Sequence, residues 1–127
     1  MSLASSTPNP KKLAEIAVFR IKYLMFEISF IQERIRKGEY YFSKHGDQER
    51  QNDNLTIAEV EEALLTGRII EHYEDTGRGE SCLVAGFTGM GKPIHMVCGM
   101  RGNWLVIITV YIPRPPKFKS PYERSEQ

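Results

Sequence analysis

Between Lys11 and Lys37 the chain runs without a glycine or proline, and Ala17, Ile21, Leu24, Ile28, Ile31 and Ile35 recur at alternating spacings of four and three. That spacing keeps one face of an α-helix apolar and predicts a single long helix. Phe19, Tyr23, Phe26 and Phe30 make a second stripe two positions away, roughly 200° around the axis. A helix apolar on opposed sides needs cover on both, so one stripe is expected on a sheet and the other on a partner chain or another helix. Phe19 to Tyr23 also alternates with Arg20 and Lys22, as a strand would.

Gly38 is placed to cap this helix, and Glu39 to Phe42 reads as a short extended run or a connector. The polar stretch Ser43 to Asn54 fits a short helix capped by Ser43, weakened by Gly46. Thr56 with Glu59 spells a capping box before Ile57, Val60 and Leu64, with Gly67 just past the end of a second helix. From Arg68 onward the pattern changes to β-rich runs divided by glycine-bearing turns: Arg68 to Glu74, Ser81 to Phe87, Pro93 to Met100 and Trp104 to Ile112. Pro113, Pro115, Pro116 and Pro121 then stop the last strand and leave a tail not expected to join a ladder.

The expected fold class is therefore α+β: an N-terminal long helix and a second helix packed on an antiparallel sheet of about four strands. Residues 1–10 read as a loose, disordered lead, 11–113 as one domain, and 114–127 as a tail. The register of the last hairpin decides which side chains share a face. A three-residue turn at Arg101, Gly102 and Asn103 would align Met96 and Cys98 with Val106 and Ile108, leaving His95, Thr109 and Tyr111 together opposite. The turn from Thr88 to Lys92 likewise makes Cys82 and Cys98 cross-strand neighbours.

At 127 residues, 41% hydrophobic and 26% charged, the chain has the size and balance of one globular domain. A net charge of +1 offers no broad attraction for nucleic acid, so any such function must rest on a local patch. No apolar run approaches the ~18 residues of a membrane span, and the opening segment lacks a signal-peptide core, which makes the cytoplasm the expected compartment. Cys82 and Cys98 lack the close pairing of a zinc site and read as buried thiols. His45, His72 and His95 are scattered singly, which argues against a metal cluster but not against acid–base chemistry.

Gly86 to Lys92 nearly spells a phosphate-binding loop, but Pro93 replaces the magnesium-holding hydroxyl and a strand follows where a helix should begin. A hairpin turn is the expectation there. His45 lies where no core needs a histidine; it is either a general acid or base, with Arg50 or Lys44 stabilising an anionic transition state, or a solvated helix-end residue. His95, between Ile94 and Met96, is either a satisfied strand residue or a catalyst sharing a face with Thr109 and Tyr111. Arg101 joins Lys44 and Thr109 as a binding candidate, while His72 reads as an exposed strand residue. Trp104 is a core anchor or an interface residue. The tail from Arg114 to Lys119 mixes cations with Phe118, a composition of RNA-binding segments and of solubilising ones.

Tyr41 to Gly46, the helix from Ile57, the strand Arg68 to Tyr73, Ser81 to Gly86, Pro93 to Val97 and Ile107 to Pro113, in that order, resemble the bacterial domain of unknown function 4258 family over about Tyr40 to Lys117. The resemblance implies a compact RelE-like or barnase-like fold, in proteins often encoded beside a zinc-finger antitoxin or placed at the end of larger toxins. It further implies metal-independent RNA cleavage without a cofactor. His45 matches the family's helix histidine, His95 its strand histidine, and Thr109 with Tyr111 its final strand. The family's arginines four and eight positions after the first histidine are replaced here by Glu49 and Asp53, with Arg50 one position off. The leading expectation is a ribonuclease-like toxin domain with His45, His95, Arg50 and Tyr111 as its catalytic set, RNA as substrate and an antitoxin as partner. The alternative is a non-catalytic interaction module using the long first helix to form a homodimer or hold a partner.

Overall fold

The computed structural model describes residues 9–13, 27–75, 77 and 79–125. After a helical turn at 10–13, the elements are α1 (Ile28–Lys37), β1 (Tyr40–Phe42), α2 (Lys44–Asn52), α3 (Ile57–Leu65), β2 (Arg68–Tyr73), β3 (Ser81–Phe87), β4 (Pro93–Arg101), β5 (Trp104–Tyr111), β6 (Phe118–Ser120) and β7 (Glu123–Arg124).

One uninterrupted helix from Lys11 to Lys37 is not what forms. Glu27 is extended, at φ −75° and ψ 148°, and α1 begins after it with ten residues. No glycine, proline or capping side chain marks that start; the Glu27 carbonyl simply accepts the Phe30 and Ile31 amides at 3.1 and 3.3 Å. The apolar side of α1 is bound to the core, with Ile31 and Ile35 buried in it and Ile28 against it. The helix ends as expected at Gly38, at φ 71°, where the Gly38 and Glu39 amides donate to the Ile35 and Arg34 carbonyls. Ala17, Ile21 and Leu24, and Phe19, Tyr23 and Phe26 of the second stripe, lie outside the described residues. Phe30 of that stripe carries the Arg34 guanidinium 4.9 Å from its ring centroid.

The sheet has five strands in the order β1-β5-β4-β3-β2, one more than expected. β2 to β5 form the antiparallel meander, and β1 adds in parallel to β5, Tyr40 opposite Leu105 and Phe42 opposite Ile107. Three residues are too few to show alternation, so only the pairing identifies β1 as a strand. α1 and α3 cover one face, packing Ile31, Ile35, Val60, Ala63 and Leu64 with Val84, Ile94, Met96, Cys98, Leu105, Ile107 and Val110. At Gly86 a Cβ would stand 1.8 Å from the Ala63 carbonyl oxygen, so α3 sits on bare β3 backbone. The Thr56–Glu59 capping box starts α3, with both reciprocal bonds made.

α2 lies along β5 where β1 stops. Ser43 accepts the Gly46 amide on its hydroxyl, and that hydroxyl donates to the Ile108 carbonyl at 2.9 Å. Glu49 Oε1 accepts the Val110 amide at 3.0 Å and Asp53 Oδ2 the Ile112 amide at 3.3 Å. Gly46 is buried because the helix touches the strand, its absent Cβ 2.6 Å from the Ile107 carbonyl oxygen. The glycine that seemed to weaken this helix lets it dock.

The last hairpin differs from expectation. Arg101 pairs with Trp104, so the turn is Gly102-Asn103, with Gly102 at φ 60° as a type II′ turn requires. Alone, that turn would set His95 against aliphatic side chains. A bulge shifts the register by one residue more, which restores the facing: Cys98 opposes Ile107 but Val97 opposes Thr109, leaving Ile108 extra. Met96 and Cys98 thus share the core face with Val110, Ile107 and Leu105, not with Val106 and Ile108. Cys82 does face Cys98, and burial pushes the Cys82 thiol up to about 12.

The tail also corrects the sequence reading. Phe118–Ser120 and Glu123–Arg124 make a small antiparallel hairpin, with Pro121 in its turn and the earlier prolines before it, so that none interrupts the pairing.

Candidate functional site on the polar sheet face

Opposite the helices, side chains stand in rows across the strands. Arg68, Ala85, His95 and Tyr111 are abreast in one row; Glu71, Leu83, Val97 and Thr109 form the next. Strand alternation and the bulge together place these groups on one face. The structure therefore brings His95, Thr109 and Tyr111 together as expected, through a different turn.

His95 is fully buried. Its Nδ1 lies 3.1 Å from the Tyr111 hydroxyl and its Nε2 2.5 Å from the Pro121 carbonyl oxygen. A carbonyl can only accept, so the network assigns the proton to Nε2, with Nδ1 accepting from Tyr111. The Phe118 ring stands edge-on at 4.5 Å and the Tyr111 ring at 5.2 Å. Burial pulls the His95 pKa below its ordinary value, opposed by the Pro121 hydrogen bond and the negative charge of Glu71. Burial likewise raises Tyr111.

Glu71 is the anionic centre of this face. It accepts Arg124 Nε on Oε2 and Arg124 NH2 on Oε1, at 2.5 and 2.9 Å, and the Tyr73 hydroxyl on Oε1. The Arg124 hydrogen bond is the largest influence holding its carboxyl below the usual range. Tyr73 is pushed up to about 12, by burial first and then by Glu71. Arg124 lies 4.8 Å over the Phe118 ring, and Arg68 3.6 Å over the Tyr122 ring.

The remaining candidates lie elsewhere. His45 is exposed near the start of α2, its Nε2 3.2 Å from the same Glu49 oxygen that accepts the Val110 amide. Lys44 is exposed beside it. Arg50 is committed to the fold, donating to Asp47 Oδ1 at 3.0 Å and to the Leu55 carbonyl at 2.8 Å, with its guanidinium 5.7 Å from the Phe42 ring. Arg101 stands at the end of β4 opposite Trp104. Trp104 is 49% exposed and no core anchor, and His72 is exposed as expected. Thr88 to Lys92 is a hairpin turn, closed by the Thr88 amide on the Lys92 carbonyl at 2.9 Å.

Sequence reasoning missed Arg68, Glu71, Tyr73, Phe118 and Arg124. Glu71 and Tyr73 flank His72 and so fall on the opposite face of β2 from it, a signal alternation contains. Arg124 had no signal, since its place depends on the hairpin's fold over the sheet. Among the described residues, no group of three or more His, Cys, Asp or Glu could hold a metal ion, and no helix is long and apolar enough to cross a membrane.

The face thus gathers an imidazole, a carboxylate, two phenols and two guanidiniums, groups able to move protons at, and balance charge on, a bound anion. A family model described as "Domain of unknown function (DUF4258)" matches residues 42–112, which contain α2 through β5. No curated protein and no solved structure matches the chain.

Proposed function

From the premise that this chain belongs to the DUF4258 family, we propose that it is a metal-independent endoribonuclease-like domain of the toxin type, acting on the polar sheet face. The observation that carries this reading is the gathering of His95, Tyr111, Glu71 and Arg68 on that one face. The Glu71 carboxylate removes the proton of a ribose 2′-hydroxyl, whose oxygen attacks the adjacent phosphorus. As the P–O2′ bond forms, the P–O5′ bond breaks, and His95, protonated at Nδ1 once RNA displaces residues 118–124 and opens the imidazole to water, delivers its Nε2 proton to the departing 5′ oxygen. The products are a 2′,3′-cyclic phosphate and a 5′-hydroxyl.

Arg68 balances charge on the phosphorane, while Tyr111 orients the imidazole through Nδ1. Glu71, and not the exposed His45, is the base in this proton exchange, because it stands on the same sheet face as His95, one row away. Arg68 replaces Arg50 at the phosphate, since Arg50 is held by Asp47 and Leu55. The half-exposed Trp104 and Tyr41 supply aromatic surface for unstacked bases.

The test is purified protein on single-stranded RNA with excess chelator, reading the product ends. Cyclic phosphate termini that disappear in His95→Ala and Glu71→Gln and persist in His45→Ala are expected. Cleavage unchanged in His95→Ala would refute the assignment, and loss in His45→Ala would return that residue to the mechanism.

A further inference from the structure

The segment after β5 covers the proposed site. Phe118 is 2% exposed, with its ring against both His95 and Tyr111. The Pro121 carbonyl accepts the hydrogen bond from His95 Nε2–H, the Tyr122 ring meets both Arg68 and Phe87, and Arg124 grips Glu71. Each anchor therefore occupies a group assigned to catalysis or phosphate binding above. A segment that merely shielded a sheet would meet aliphatic side chains; this one meets an imidazole, a phenol, a carboxylate and a guanidinium.

Its place in the chain is equally informative. The family match ends at residue 112, and the covering segment begins immediately beyond it. Pro113 to Lys117 leads to it as a mostly exposed connector outside any strand, its Arg114 and Lys117 carbonyls accepting the Phe118 and Ser125 amides, and the pairing of the segment is local, between β6 and β7. The sheet contributes no ladder partner to it, so its hold on the face is by side chains and one carbonyl.

We infer that residues 113–125 form an autoinhibitory strap: closed, it occupies the groups that would meet RNA, and the site works only when the strap lifts. This inference rests on the ribonuclease reading, and it makes the closed chain a resting form. An RNA strand and the strap compete for the same surface, the phosphate replacing the contacts of Tyr122 with Arg68.

The experiment uses the full chain, Phe118→Ala combined with Arg124→Gln, and a chain ended after Ile112, each checked for native circular dichroism. The double variant keeps the question open to test should the shortened chain fail to fold. Two readings are taken on each: carbethoxylation of His95 by diethyl pyrocarbonate, located by peptide mass spectrometry with the exposed His72 as internal standard, and RNA cleavage in chelator. In the full chain His95 should be modified far more slowly than His72; in the unlatched chain the two rates should converge. If the open form is a minor population of 10% or less, cleavage should rise by about tenfold or more on unlatching.

Equal His95 and His72 rates in the full chain, or a protected His95 in the unlatched one, would overturn the strap. An exposed His95 with cleavage unchanged from an active full chain would overturn its inhibitory role. An exposed His95 with no cleavage in any folded form would instead overturn the ribonuclease reading and, with it, the inhibition.

Discussion

Removing the Glu49 carboxylate should expose how much α2 contributes by finishing the sheet edge. Glu49 Oε1 accepts the Val110 amide at 3.0 Å, and Val110 is fully buried. In Glu49→Ala that donor has no protein acceptor. A hydrogen bond to a charged group contributes roughly 1.5–3 kcal/mol, and an orphaned buried amide costs about as much as the bond it lost. Glu49 is 27% exposed, so water reaches part of the site and the lower end applies, about 1.5–2 kcal/mol. The His45 contact adds little, because His45 is 69% exposed and such surface pairs contribute a few tenths.

With a urea m-value of about 1.5 kcal/mol/M, Glu49→Ala should lower the unfolding midpoint by about 1 M. Glu49→Gln keeps an oxygen for the amide and should lose less than about half as much. Amide hydrogen exchange supplies the local reading: Val110 should exchange faster in the alanine variant and remain protected in the glutamine one. Equal midpoints for the two variants, or an unchanged Val110 amide in Glu49→Ala, would refute the claim that this side chain completes the β5 ladder.

Gly86→Ala should cost about 3 kcal/mol or more or yield insoluble protein, since its Cβ would overlap the Ala63 carbonyl; a soluble variant with a wild-type urea midpoint would contradict the backbone contact. Thr56→Ala removes the hydroxyl that accepts the Glu59 amide, leaving the backbone amide of position 56 still donating to the Glu59 carboxylate, and should cost about 1 kcal/mol in thermal melts. His95 has a folded pKa below its ordinary 6.5, so the unfolded chain binds its proton first as pH falls. That contribution is complete above pH 6.5 and declines below it, before Glu71 and Glu59, lowered from 4.5, come into play. Urea midpoints from pH 8 to 5 should fall below 6.5 in the wild type and stay flatter in His95→Asn; parallel curves would assign the decline to other groups.

The meander and both short helices were legible because their signals are local. Thr56 with Glu59, Ser43 before a polar helix and Gly38 after a basic turn each announce themselves within a few residues. The start of α1 was not legible, because the chain at Glu27 offers no glycine, proline or capping side chain to mark it. β1 was too short to show a period, and its identity depends on a partner some sixty positions away.

The site was half visible. His95, Thr109 and Tyr111 could be put on one face by counting along a hairpin, although the count rested on a three-residue turn that sets His95 opposite Thr109, and the molecule, with a two-residue turn and a bulge, sets it opposite Tyr111. Two one-residue shifts in the same direction add to two, which keeps the face and moves the partner. Glu71 was readable in principle from its alternation with His72, whereas Arg124 and Phe118 reach the site only through a hairpin that crosses back over the sheet.

The finished flank of β5 also bears on self-association. On that side the outermost strand is β1, three residues long, and beyond it α2 already satisfies Val110 and Ile112. Among the described residues, the long outer strand is β2 alone. Copies joining edge to edge through β2 would use up that edge on both, so growth would close at a pair instead of running on into a fibre.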